Sequence, residues 1–176
     1  RMETRAVVMC GDCGAFWDPA AEPAVCTDPA HQHHEFESHL HRAGVTFADG
    51  TTVVAVSFGG DDPYVRGSTP DFGLYLDERW DPPWPHQHLD WPDYGVPPDR
   101  EAVVAALTDL LERARSGERV EVGCYGAHGR TGTALAAMAI LCGTDPDDAV
   151  AWVRTAYCER AVETDDQAAF ARTLLA

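Results

Sequence analysis

Residues 119–142 constrain the fold most. RVEVG alternates like a strand and runs into Cys124, small residues and two glycines follow, and from Thr131 to Cys142 the chain is apolar on nearly every side. A helix without a polar face has to be buried. Successive backbone N–H groups in a glycine-rich turn form a nest for an anion, and the positive end of the helix behind it adds to that field. The same field favours a cysteine thiolate. Arg130, six positions after Cys124, can hold two oxygens of a tetrahedral anion in its planar fork. A thiolate, a nest and a guanidinium clamp together suit attack on phosphorus. The bland alternative is a strand-to-helix turn with a small buried thiol. Arg130 argues against it, since nothing adjacent in sequence would neutralise it.

The chain around this loop reads as α/β, with a central mixed sheet flanked by helices. Residues 44–58 hold two β-rich runs about Asp49-Gly50, a hairpin signal. The run 59–70 is turn-rich, FGLYLD at 72–77 reads as a strand, and HQHLD at 86–90 as a short buried one. Asp99 caps a helix with Val103, Val104, Leu107, Leu110 and Leu111 on its apolar face. Asp145-Pro146 signals a further helix start, and a last helix opens at Thr164.

A second motif lies about thirty residues before the cysteine. WPDYGVP, residues 91–97, together with C-Y-G-A-H-G-R-T-G, resembles the acid loop and Cys-x5-Arg-Ser/Thr signature of the protein tyrosine phosphatase superfamily. The resemblance covers roughly residues 44–176. It implies a phosphatase-type loop between a strand and a buried helix, with Cys124 as nucleophile and Arg130 as phosphate ligand. Thr131 would hydrogen-bond the sulfur, and Tyr125, Gly126, Ala127, His128 and Gly129 would supply the rest of the substrate cradle. Asp93 would be the general acid, then the base that activates water. Cleaving a P–O bond requires such a proton donor, carried on a loop that closes. AVETDDQ, residues 161–167, resembles the segment that positions the hydrolytic water, which implicates Glu163 and Gln167. Thr164-x-x-Gln167 is equally an ordinary capping box.

Two departures stand out. Gly123 occupies the place where this superfamily usually has a histidine, and His128 lies inside the loop, facing either the pocket or solvent. The short chain, without an evident phosphotyrosine-recognition segment, resembles the compact dual-specificity type.

Residues 1–43 form a separate segment with three of the six cysteines, and Pro19, Pro23 and Pro29 are expected to break any long element. Cys10, Cys13, Cys26 and His31 give C-x2-C-x12-C-x4-H, the pattern of a tetrahedral Cys3His zinc knuckle. His33 is an alternative fourth ligand, with His34 behind it, while His39 and His41 read as an exposed polar stretch. A redox pair at Cys10 and Cys13, or unrelated core thiols, are the competing readings. Zinc here would be structural, and catalysis itself would need no cofactor. Cys142 and Cys158 read as helix-packing residues. The domain division expected is thus 1–43 for the metal segment and 44–176 for the phosphatase domain.

The net charge of −16, with every basic residue an arginine, argues against nucleic acid or anionic membranes as partners. No secretion-signal pattern is visible, so a reducing cytoplasm is the expected setting. The expected substrate is a phosphorylated protein or a small-molecule phosphate ester. Two rival functions remain at this point. One is a zinc-bearing pseudophosphatase, motivated by Gly123. The other is a sulfurtransferase, which uses a cradle cysteine but needs no acid like Asp93.

Overall fold

The computed structural model describes residues 3–13, 15–17, 19–20, 25–57 and 68–176. Pro23 and positions 59–67 of the expected turn-rich run lie outside the described residues, as do the side chains of His34 and His39.

The N-terminal segment is more regular than its prolines suggest. β1 (Glu3–Cys10), β2 (Phe16–Trp17) and β3 (His33–Leu40) form an antiparallel sheet in the order β2-β1-β3. The described prolines fall in the connection between β2 and β3, where they interrupt no ladder. Among the described residues, the buried core of this unit is Cys10, Trp17 and Cys26, with Val8 and Ala15 against it.

The second sheet contains β4 (Arg42–Thr46), β5 (Thr52–Ser57), β6 (Phe72–Tyr75), β7 (His86–His88) and β8 (Val120–Cys124), in the order β4-β5-β8-β6-β7. The β4–β5 hairpin is antiparallel and the other pairings are parallel. β4 begins at Arg42, so the two sheets part at His41, two residues before the expected division. β7 is an edge strand whose residues are half-buried or exposed, not the buried strand expected; Leu89 beyond it is buried.

Among the described residues there are four helices, of which the first two pack on the sheet. α1 (Arg100–Arg115) starts at Asp99, whose carboxylate accepts the Ala102 N–H at 3.0 Å. Val103, Leu107, Leu110 and Leu111 face inward as their spacing dictates. α2 (Gly129–Leu141) is buried along almost its whole length and packs against β8, α1, α3 (Ala149–Ala156) and α4 (Asp165–Arg172). Asp145-Pro146 opens a turn and not a helix: the Asp145 carbonyl accepts from Asp148 at 3.0 Å, and α3 begins at Ala149. Val56, Tyr75, Trp80 and Trp84 make a separate aromatic cluster. Among the described residues, no helix is long and apolar enough to cross a membrane.

Candidate active site

β8 ends at Cys124 in the interior of the sheet, between β5 and β6, and α2 starts at Gly129. Ligand sites in parallel sheets gather at the carboxyl ends of the strands, which is where residues 124–130 lie. Cys124 is buried, and the Thr131 hydroxyl donates to its sulfur at 3.0 Å. Among the described residues, the backbone N–H groups of Gly126, Ala127, Gly129 and Arg130 find no acceptor. Ala127, Gly129 and Arg130 are buried and Gly126 half-buried, and unpaired donors at the start of a helix suit an anion.

Arg130 is only 5% exposed. Its Nη1 donates to the carbonyls of Leu76 at 2.9 Å and Trp91 at 3.4 Å, and its Nη2 donates to Asp77 Oδ2 at 3.1 Å. Nε is buried with no partner among the described residues. A buried donor left unsatisfied costs about 1–3 kcal/mol, which a bound oxyanion recovers. The guanidinium is therefore held along one edge and offers the other.

Asp77 and Arg79 belong to no motif in the sequence. Asp77 lies just past β6, beside the cradle strand, and takes two bonds from Arg79, from Nε at 2.8 Å and Nη2 at 2.6 Å. Burial opposes its charge, but the Arg79 bonds and the charges of Arg130 and Arg79 outweigh it and hold the carboxyl below its usual range. Arg79 also stacks over Tyr125, 4.7 Å from the ring centre. An acid at the carboxyl end of a strand predicted to lie in the same sheet was the available signal.

Residues 91–97 form a loop over this arginine. Trp91 is buried and its indole donates to the Gly95 carbonyl at 3.0 Å. Asp93 is 61% exposed at its side chain, yet its Oδ1 lies 3.4 Å from Arg130 Nη2. Gln167 is buried and joins the two ends of the site. Its Nε2 donates to the Gly95 carbonyl at 3.3 Å and its Oε1 accepts from the Glu163 N–H at 2.9 Å. Thr164 also caps α4, accepting from Gln167 N at 3.2 Å, as the capping-box reading expects. The Glu163 carboxyl tucks against Gly129, where a Cβ would lie 2.1 Å from Oε2. Desolvation, then the charge of Asp93, push its pKa up.

The described non-glycine residues with positive φ are Tyr94 at 57°, Ala127 at 56° and Val162 at 64°. All three border the site, and Val162 is β-branched, for which this conformation is a true outlier. Neighbours fix the last two. The Tyr157 hydroxyl donates to the Ala127 carbonyl at 2.7 Å, and Val162 N donates to the His128 carbonyl at 3.2 Å.

His128 points its ring at His41, with 3.1 Å between the two Nε2 atoms. His41 is 3% exposed, against the expectation of an exposed stretch, because it links the two sheets and packs between His128 and Tyr157.

The N-terminal thiols also converge. Cys10, Cys13, Cys26 and His31 place one donor atom each within 4.8 Å of one another. His31 Nδ1 lies 3.4 Å from Cys10 Sγ and 3.3 Å from Cys26 Sγ, near the roughly 3.6 Å separation that tetrahedral zinc imposes on sulfur and nitrogen. The Cys13 N–H donates to Cys10 Sγ at 3.4 Å, and Asp28 Oδ2 stands 3.6 Å from His31 Nε2, where a carboxylate orients a ligating imidazole. His33 is exposed with its ring edge-on to Trp17, outside this cluster.

No protein-family model matches the chain. Over 108 residues it is 35% identical to an uncharacterized protein of Methanocaldococcus jannaschii, covering 55% of this chain and 71% of that one. A second uncharacterized protein of the same organism is 37% identical over 108 residues, covering 55% and 65%. Among solved structures, Tk-PTP in its active form matches with 25% identity and a TM-score of 0.58, covering 74% of this chain and 95% of that one. Kinase-associated phosphatase shares the fold at 13% identity and a TM-score of 0.61, covering 75% and 92%. The mixed five-stranded sheet with its helices matches the fold of these phosphatase structures. The chain belongs to the protein tyrosine phosphatase superfamily and shares a family with the methanocaldococcal protein that it covers over 71% of its length.

Proposed function

We propose that the chain is a phosphoric monoester hydrolase working through a phosphocysteine. The carrying observation is the 3.4 Å contact between Asp93 Oδ1 and Arg130 Nη2, in which two motifs separated in sequence meet at one point. The Cys124 thiolate attacks phosphorus while Arg130 and the nest hold the non-bridging oxygens. The P–O bond to the leaving group breaks, and Asp93 gives that oxygen its proton. Thr131 stabilises the sulfur. Water, oriented by Gln167 and Glu163, then loses a proton to the Asp93 carboxylate and attacks the phosphocysteine, releasing phosphate and the thiolate. Tyr125, Gly126, Ala127, His128 and Gly129 form the wall and floor of the cradle. The substrate is a phosphoprotein or a small phosphate ester.

The division of labour is a phosphatase domain following a metal-stapled N-terminal segment. Cys10, Cys13, Cys26 and His31 hold structural zinc, supported by their separations and by the burial of Cys10 and Cys26 against Trp17. Turnover of p-nitrophenyl phosphate without added metal tests the activity. Loss in Cys124→Ser and a fall of about 10²–10⁴-fold in Asp93→Asn support it. An inactive wild type that still binds phosphate indicates a pseudophosphatase instead.

A further inference from the structure

We propose that His41, His128 and Cys158 form a second metal site, beside the phosphate cradle, that takes a borderline-soft divalent cation such as zinc and strengthens the cradle's hold on phosphate. The three come from different places: His41 joins β3 to β4, His128 belongs to the cradle, and Cys158 follows α3. Such convergence is not a by-product of one amphipathic element. Their donor atoms lie within 4.8 Å of one another, and both His41 and Cys158 are buried.

The geometry suits a tetrahedral ion. Two imidazoles on zinc keep their nitrogens about 3.3 Å apart, and imidazole and thiolate donors sit about 3.6 Å apart. The two Nε2 atoms stand at 3.1 Å, with rings at 84° and centroids 4.9 Å apart. The imidazole pair therefore opens by only a few tenths of an ångström, and the thiol closes by at most about 1.2 Å. On binding, the ion accepts the lone pair of each Nε2 and the Cys158 sulfur as thiolate. The thiol proton leaves to solvent and no oxidation state changes.

The site shares its walls with the cradle. Tyr157 packs 4.8 Å from His41 and donates its hydroxyl to the Ala127 carbonyl. The His128 carbonyl accepts from Gly132 at 2.9 Å and from Val162 at 3.2 Å. A divalent ion with one thiolate adds one net positive charge next to a loop built for an anion. Phosphate and cation then bind cooperatively, each raising the other's affinity by the same factor. This coupling rests on the cradle reading above, whereas the metal site does not.

Cobalt(II) titration of the protein, with zinc already in the N-terminal site, tests both. Zinc outranks cobalt for such ligands, so added cobalt reports the second site. One further equivalent with a thiolate-to-cobalt charge-transfer band is expected in wild type and in Cys124→Ser. Cys158→Ser loses the band and His41→Gln loses the equivalent, while circular dichroism checks that both fold. In Cys124→Ser, cobalt is expected to tighten inorganic phosphate binding about five-fold. No additional equivalent, or a band that survives in Cys158→Ser and vanishes in Cys124→Ser, overturns the site. Unchanged phosphate affinity with cobalt bound overturns the coupling. Absence of phosphate binding with and without cobalt counts against the cradle reading alone.

Discussion

The indole of Trp80 lies over Gly123: a Cβ on that glycine would fall 3.2 Å from the Trp80 ring, and only 2.4 Å from the Val56 carbonyl. Trp80 in turn stacks on Tyr75, with ring centres 4.5 Å apart. Val56 and Trp80 leave no room for a side chain at this position, so Gly123 is a packing requirement of this fold.

Gly123→Ala should accordingly destabilise the protein by about 1–3 kcal/mol through overpacking, read from urea denaturation. Gly123→His should cost more and fail to raise turnover. A well-folded Gly123→His variant with higher activity would contradict this explanation.

Asp77 accepts from Arg130 Nη2 at 3.1 Å, which we read as a positioning contact for the proposed clamp. Asp77→Asn keeps the shape but removes the charge that holds the Nη2 edge, and a misplaced clamp costs up to about 10²-fold. The loss should fall on kcat/KM, with phosphate inhibition weakened in parallel. Unchanged phosphate inhibition would assign Asp77 a purely structural part.

The carboxyl of Asp49 is held below its ordinary range, first by the Thr51 N–H at 2.9 Å and then by Arg115 at 2.7 Å. A depressed folded pKa gives stability that is present above the unfolded value, about 3.9, and is lost as pH falls through the folded one. Thermal melts of Asp49→Asn should therefore lie below wild type at neutral pH and converge with it in acid. An equal gap at both ends of the range would rule Asp49 out as a contributor.

Removal of the zinc proposed for Cys10, Cys13, Cys26 and His31 should unfold the N-terminal sheet. Among the described residues, Cys10 and Cys26 are two of the three buried core residues of this sheet, and a metal held by the four proposed ligands contributes folding free energy directly. A strong chelator should expose Trp17 to quenching as the N-terminal zinc leaves. Intact Trp17 burial after complete zinc loss would show that the sheet stands without metal.

Local chemistry was legible in the sequence where residues acted on their neighbours. Asp99 and Thr164 cap as expected, the Asp49-Gly50 hairpin forms, and the spacing of Cys10, Cys13, Cys26 and His31 brought four donors together. The apolar run after Thr131 is the buried helix, begun two residues earlier at Gly129. What the sequence withheld depends on tertiary placement. His41 looked exposed because nothing local buries it; His128 and Tyr157, far along the chain, do. Asp77 acquires meaning only once β6 lies against β8. Helix α3 starts later than Asp145-Pro146 suggested because Asp145 closes a turn of its own.

Trapping the covalent intermediate is the decisive measurement. Rapid acid quench of protein mixed with excess p-nitrophenyl phosphate, followed by intact-mass analysis, should find one added phosphoryl group per chain, mapped to Cys124. Asp93→Asn should prolong it, since the same carboxylate serves the second step, and Cys124→Ser should abolish it. Turnover without any phosphoryl adduct, or an adduct on another residue, would contradict the phosphocysteine route.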